Sequence, residues 1–558
     1  MAQKIELEII FNDSLLRPSK LFTYNKNIPL ESLKDELNLF ITKLNSQAYL
    51  SATIDSINIE NNKYQTYIHL GKQFKWTYLK TKGIDEEVLS KIGFRDKIFT
   101  NRPFSSRQLY SFYEKLILHY ENNGFPFASI QLDSIKIEDN EVRALLVFNK
   151  NTLIKIDSVN VVGNATISER YIENYIRIKD GDFYNELLIK NISNRIKELP
   201  FVQEATPFKV IFTEKESKIL LNLQKKKASR FNGILGIQPD NQTGEIRFTG
   251  DIKLNLLNSF KKGEEIKFNW RSIQKQTQDL KAGFSLPFVF NTPFGVDFDF
   301  KLFKKDTTFV DVYNKIGVRY IMKGNNYVSV FVQNKNSSLL STKGYKNITV
   351  LPNYADISTQ LYGLRLNYAK LDYRLNPRKG FEIESEGAIG QKKIKKNVAI
   401  NEDLYKGLKL NSDLYNVVLN AAIYFPIKKR SVIKVGTQNG LTYNDNLFEN
   451  ELIRIGGLLT LRGFDEESIY TSSYTIETIE YRYLLEQNSY LYLFFDGAYY
   501  EQRKLNSYLS DRPYSYGAGM SFETRAGIFS ISYALGKQFD NPVLIKNARV
   551  HFGFVNYF

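Results

Sequence analysis

Residues 294–303 read FGVDFDFKLF. Phe294, Val296, Phe298, Phe300 and Leu302 share one parity, and Asp297, Asp299 and Lys301 share the other. Side chains alternate across an extended strand, so this is a strand with one apolar and one charged face. Residues 244–257, GEIRFTGDIKLNLL, repeat the plan. Ile246, Phe248, Ile252, Leu254 and Leu256 oppose Glu245, Arg247, Thr249, Asp251, Lys253 and Asn255. From about Ala228 onward no helical period intervenes, and stretches rich in Asn, Gly, Lys and Asp separate the segments. Roughly sixteen segments of about ten residues follow one another, including 380–391, 412–425, 429–441, 474–485, 490–500, 513–525, 527–538 and 548–558. A soluble β-sandwich would also alternate. A run of this length with a charged inner face suits a large barrel, and the 36 Tyr and 40 Phe against 2 Trp fit an outer-membrane barrel. In lipid such a sheet must close, because an open edge strands backbone groups in hydrocarbon.

The rest of the composition narrows the function. The 558 residues are too many for one ordinary domain, and 43 % hydrophobic with 24 % charged residues is not a disordered composition. No cysteine is present, which excludes disulfides, thiol catalysis and cysteine-ligated metals. Three histidines, His69, His119 and His551, lie too far apart in sequence to suggest a metal site. The net charge of +16 is compatible with nucleic acid. The basic residues are scattered, however, with no arginine-rich helix or zinc module, so a Lys-rich proteome bias together with attraction to anionic surfaces is the simpler reading. No apolar run approaches the roughly 18 residues of a membrane helix. The opening MAQKIELEII lacks the ordered regions of a signal peptide, and the barrel implies that one has been removed.

The first 226 residues carry a threefold plan of strand, helical stretch, aromatic turn and two more strands. Corresponding points near Leu50, Phe127 and Val202 recur at about 75 residues, as in an array of small modules. The expected boundaries are 1–73, 74–152 and 153–226, with the barrel at 227–558. In the third module Leu188, Ile192, Ile196 and Leu199 fall on one helical stripe. Each module could leave a strand edge open. Such an edge either pairs with an extended client through main-chain hydrogen bonds or is covered by a neighbouring module.

A long loop of about thirty residues separates the strands ending near Leu441 and starting near Tyr474, and long loops are often functional. It contains GGLLTLRGFDEE, 456–467. The next two strands form a hairpin. A turn centred near Asn488 sets Glu480 opposite Asp496 on the face away from Ile479, Tyr481 and Tyr483. Two facing carboxylates repel unless a cation sits between them. Arg482 is near. Arg462 is the better partner if its loop folds back into the lumen, since a guanidinium can serve two carboxylates. Leu461 and Phe464 would then anchor the tip, and Gly456, Gly457 and Gly463 would permit its tight backbone. The alternative is a solvated loop arginine and an unrelated carboxylate pair.

At these residues the chain resembles the outer-membrane assembly superfamily that includes BamA, TamA and the two-partner secretion transporters. LRGF, 461–464, is similar to the arginine motif of that family's sixth extracellular loop. IEYRY and LFFDGA look like the two strand motifs that follow it, and GAGMSFETRAGIFSISYALG is similar to a late region of the same barrels. Residues 153–226 resemble a polypeptide-transport-associated (POTRA) domain, and a count of three modules is most like TamA. The resemblance implies a mainly β chain, with a sixteen-stranded transmembrane barrel behind about three small α+β POTRA domains. It implies that Arg462 enters the barrel and pairs with Glu480 and Asp496. It further implies a weak lateral seam between the first and last strands, with Phe231 and Gly233 on one side and Gly553 and the terminal Phe558 on the other. Asn556 departs from the family's C-terminal signal, where a hydrophobic residue is usual.

The function implied is assembly or translocation of unfolded outer-membrane or secreted clients. POTRA domains in the periplasm of a Gram-negative bacterium would receive them, and the barrel and its seam would insert them. Partners would be those clients, outer-membrane lipid, and an accessory protein of the periplasm or inner membrane, without cofactor, metal or nucleic acid. Two other readings use the same fold: a secretion pore for one dedicated protein, and a passive channel or receptor. No catalytic residue is expected. GGLLTLRG lacks the Gly-Lys-Ser/Thr of a phosphate loop, and no G-x-S-x-G occurs. Glu480 and Asp496 could be mistaken for glycosidase carboxylates, but an arginine between them makes them anchors rather than a general acid.

Overall fold

The alternating stretch 294–303 lies in a strand, Phe294–Lys305, with Phe294 and Phe298 turned outward and 48 % and 42 % exposed. On its other face Asp297 accepts from Ser285 Oγ at 2.6 Å and pairs with Arg319 at 3.4 Å. The computed structural model describes residues 4–13, 24–60, 63–214, 216–239, 246–272, 276–322, 324, 326–342, 345–373, 376–524 and 527–557. Glu245 and Phe558 therefore lie outside the described residues.

The barrel strands are β1 (Arg230–Pro239), β2 (Ile246–Leu257), β3 (Glu265–Ser272), β4 (Gln278–Leu286), β5 (Phe294–Lys305), β6 (Phe309–Ile321), β7 (Tyr327–Leu339) and β8 (Asp356–Leu371). There follow β9 (Gly380–Lys395), β10 (Asn411–Lys428), β11 (Ser431–Tyr443), β12 (Ser473–Leu484) and β13 (Tyr490–Lys504). The last three are β14 (Ser507–Asp511 and Tyr514–Thr524, both paired to β13), β15 (Gly527–Lys537) and β16 (Arg549–Tyr557). All neighbours are antiparallel, and β16 returns to β1 to close the sheet. Counting the two pieces of β14 as one gives sixteen strands. Outward positions such as Ile316, Val330, Leu364, Ile479 and Leu493 are exposed and apolar, as a lipid-facing belt requires. Inward positions such as Lys315, Lys392, Glu480 and Asp496 are buried and charged.

The chain divides into two compact units, 1–158 with 178–191 and 210–219, and 159–177 with 192–209 and 220–558. In the first, two α+β modules each set a long helix on a four-stranded sheet, and the second adds a short helix, Glu86–Lys91. Helix α1 (Leu33–Ser46) buries Leu37, Phe40 and Leu44 on Ile5, Leu7, Ile9 and Ile68. Helix α2 (Ser106–Glu121) starts at Ser105, whose Oγ accepts from Gln108 N at 3.3 Å. It buries Leu109, Phe112, Leu116 and Tyr120 against Val142, Ala144, Leu146 and Phe148. In both modules the central strands run parallel, 4–11 with 63–69 and 75–82 with 141–149. Strands Thr53–Glu60 and Ser129–Glu138 lie at sheet edges.

A third sheet orders Val202–Phe212, Ser217–Lys225 and Ser158–Gly163. The helical stretch predicted over 186–199 is two helices, α4 (Glu186–Lys190) and α5 (Ile192–Glu198), broken at Asn191. The break moves the apolar stripe, so Ile189 rather than Leu188 is buried with Ile192, Ile196 and Leu199. The preceding helix α3 (Glu169–Ile176) belongs to the barrel's unit. Its N-cap residue Ser168 donates its backbone N–H to Lys261 O at 2.9 Å, in the β2–β3 turn. Tyr171 stacks edge-on with Phe288 at 5.4 Å in the β4–β5 turn, and Arg177, just past the helix, donates to Met322 O after β6.

Candidate functional site: the arginine loop inside the barrel

Between Tyr443 of β11 and Ser473 of β12 run the 29 residues 444–472. Two short strands, Ile453–Ile455 and Ile469–Thr471, pair within this loop and narrow it to a hairpin. Gly456 and Gly457 reverse the chain at φ of 114° and 95°, values that favour glycine. Leu461 is buried with Ile455, Ile469, Ile476 and Tyr500, and Phe464 packs on that cluster. Gly463 has φ 83°, and a Cβ there would lie 3.0 Å from Gly536 N of β15. The tip thus rests directly on the wall's backbone.

Arg462 sits between Leu461 and Gly463 with its guanidinium against β12 and β13. Its Nε and Nη2 donate to Asp496 Oδ2 and Oδ1 at 2.7 and 2.6 Å, a two-pronged pair. Its Nη1 donates to Glu480 Oε2 at 2.6 Å. The flat face lies 3.6 Å from the centre of the Phe494 ring, close enough for a cation–π contact. Asp496 is 0 % exposed and also accepts from Thr478 Oγ1 at 2.8 Å. Arg482 shares the work: Nε donates to Glu480 Oε1 at 2.8 Å and Nη1 to Asn376 Oδ1 at 3.0 Å.

The register differs from the expectation. Asp496 faces Thr478, and Glu480 faces Phe494. The last pair before the turn is Leu484 with Tyr490, which centres the turn on Gln487 rather than Asn488. A two-residue slip conserves parity, so both carboxylates still face the lumen. It also places them diagonally, where repulsion is weaker and the guanidinium fork fits between. The ring that fills the vacated position, Phe494, is the one beneath the arginine.

The spacing did not reveal the rest of the loop's grip. Glu467 pairs with Arg271 of β3 at 2.7 Å and with Arg454 at 3.0 Å, and Arg454 lies 3.7 Å over Phe303 of β5. Glu451 meets Lys392 of β9 at 2.5 Å, with the lysine 0 % exposed. Glu449 pairs with Lys504 of β13 at 3.2 Å. Asp465 pairs with Arg549 of β16 at 2.7 Å, and Gly463 N donates to His551 Nε2 at 3.2 Å. The sequence signal is acidic residues at 449, 451 and 465–467 in a loop beside strands with basic inward positions. Apart from Arg454, their partners lie on the barrel wall about 55 to 196 residues away, beyond any local pattern.

The seam residues are only partly brought together. Phe231 pairs with Asn556 and Arg230 with Tyr557, the two residue pairs described between β1 and β16. Asn232 Nδ2 also donates to Phe554 O. Gly233 pairs with Ile252 of β2 and Gly553 with Ser530 of β15, not with each other. Leu458 of the loop lies 3.6 Å from where a Gly553 Cβ would stand.

A closed sixteen-stranded barrel, small α+β modules before it and an arginine loop pinned inside define a class of outer-membrane barrels. Two family models agree. The Omp85 superfamily domain matches residues 258–558, and the POTRA model, described as a surface antigen variable number repeat, matches 154–223. The chain belongs to the Omp85 superfamily, whose barrels with POTRA domains are outer-membrane proteins of Gram-negative bacteria with a general role in protein assembly or translocation. No curated protein matches. Among solved structures, CdiB from Escherichia coli is 13 % identical, with a TM-score of 0.55, over 98 % of this chain and 100 % of that one. CdiB from Acinetobacter baumannii is 13 % identical, with a TM-score of 0.51, over the same shares. BamA from Haemophilus ducreyi lacking POTRA domains 1–3 is 14 % identical, with a TM-score of 0.47, over 87 % of this chain and 100 % of that one. At these identities the likeness is one of fold, and it does not single out TamA.

Proposed function

We propose that this protein inserts β-rich clients into the outer membrane through the β1–β16 seam, with its POTRA domains in the periplasm. The observation that carries the reading is the sparseness of that seam. Two residue pairs join β1 to β16 among the described residues, whereas the sparsest other junctions, β3–β4 and β15–β16, have seven each. In lipid a sheet is held by its ladder, so the junction with fewest bonds opens first. A client strand that adds to either edge restores the lost main-chain bonds with little regard to its sequence. The edge strands 53–60 and 129–138 support capture by the same chemistry. Ile57, Ile59, Ile135 and Ile137 on them are exposed, offering apolar contacts to an extended chain.

A route through the lumen, as for a dedicated secretion pore or passive channel, meets more resistance. The loop is tied to β3, β9, β12, β13 and β16 by ion pairs that such a route would have to break. No covalent chemistry enters this proposal; Glu480 and Asp496 act as anchors for Arg462. The test uses the absence of native cysteine. A Phe231→Cys/Asn556→Cys pair is oxidised across the seam, and insertion of a radiolabelled outer-membrane client into proteoliposomes is followed. Insertion should stop on oxidation and return on reduction. Equal insertion in both states would sink the seam model.

A further inference from the structure

The turns at the end of the barrel that α3 contacts differ sharply in charge. The β2–β3 and β4–β5 turns and the segment after β6 are engaged by α3 or its flanking residues. The β12–β13 turn, residues 485–489, reads LEQNS and carries no cation. The β8–β9 and β10–β11 turns are the opposite. Lys370, Arg378, Lys379, Lys428, Lys429 and Arg430 are all exposed there. Asp372 is the single carboxylate within 370–379 and 428–430. Its Oδ1 is already occupied by the backbone N–H groups of Tyr373, Arg378 and Lys379, at 2.9 to 3.1 Å. Among the described residues none of the six cations has an ion-pair partner. Arg378 Nη2 donates to Lys429 O, which ties the two turns into one surface.

Directly above this rim the outward face is apolar. Phe381, Ile423, Phe425 and Ile427 are exposed, and Tyr368 stacks on Phe381 at 5.7 Å. A belt of that kind seats acyl chains, and aromatic rings at its margin mark the headgroup level. The cations therefore lie where lipid phosphates lie. We propose that the β8–β9 and β10–β11 turns form a docking surface for anionic phospholipid headgroups of the inner leaflet. The assignment to that leaflet rests on the reading that the modules are periplasmic; the preference for anionic lipid does not. Clusters of four to eight Lys or Arg beside a membrane segment are enough to select anionic lipid. An acidic protein would also meet the charge, but not the apolar belt continuous with it.

The surface lies across the barrel from the β1–β16 junction, since eight strands separate β8–β9 from it on either side. Headgroup binding would thus hold the wall that stays shut while the opposite wall opens. The test takes the full chain in mild detergent and counts bound lipid by native mass spectrometry, with phosphatidylglycerol and phosphatidylethanolamine offered in equal amounts. The unaltered protein should retain phosphatidylglycerol preferentially. A Lys428→Gln/Lys429→Gln/Arg430→Gln variant, checked for folding by heat-modifiable gel mobility, should lose that preference by about tenfold. A Lys393→Gln/Lys395→Gln variant, altered at the opposite rim, should keep it. No preference in the unaltered protein, or an equal one in the first variant, overturns the proposal. Because no client is present, the seam model can fail without affecting this result, and the reverse also holds.

Discussion

Arg462 is held by three charge-assisted hydrogen bonds and a ring, with its carboxylates almost out of water. Removing one member of a buried pair leaves the other charge uncompensated, at a cost of about 3–5 kcal/mol. Arg462→Ala should therefore lower the temperature at which the folded barrel converts to its slower-migrating unfolded form on a gel. Arg462→Lys should recover little of it, because a point charge cannot bond both oxygens of Asp496 and reach Glu480 as well. Full recovery by lysine would mean that charge alone matters and the fork does not. The two carboxylates were legible in the sequence because strand parity is a strict period of two and survives an error in turn length. Lys392 and Glu451 were not legible. A buried lysine on an alternating strand looks like any inward charge until the fold brings its partner, 59 residues on, to 2.5 Å.

The loop and the last strand form one mechanical element. Over residues 549–555, β16 has β15 on one side, while its described pairing to β1 begins at Asn556. The loop supports that stretch from inside through Asp465–Arg549, Gly463–His551 and the Leu458–Gly553 approach. Breaking the ion pair should loosen β16 there and not elsewhere. Asp465→Asn should accelerate amide exchange over 549–555 and leave β10, 411–428, unchanged. A uniform change along both strands would show that the loop stabilises the barrel generally rather than this edge. At this scale the strands and α1 and α2 follow from periodicity. The α4–α5 break does not. Asn185 caps α4 through Leu188 N at 3.0 Å, and the chain restarts after Asn191, a local competition that the apolar stripe conceals.

Sixteen strands can enclose an aqueous channel, as porins do. In this barrel the lumen is crossed by the loop, which bonds to strands on several sides of the wall. At the end of the barrel opposite the turns that α3 contacts, Phe448 of the same loop joins Ile357 of β8, Ile394 of β9, and Ile400 and Tyr405 of the β9–β10 loop in an apolar cluster. Strand count alone therefore predicts an open pore, while the packing predicts a closed one. The difference rests on side chains of a single loop, which is why barrel size was legible in the sequence and occlusion was not. In planar bilayers the unaltered protein should show little conductance. Replacing residues 445–470 by a short Gly-Ser linker removes both the tether and the Phe448 plug. Single-channel conductance should then rise toward that of a porin with the same number of strands. If the shortened protein, still folded by gel mobility, remains as closed as its parent, the occlusion lies in the other long loops at the same end of the barrel. Lateral opening would then have to be explained without this one as its internal support.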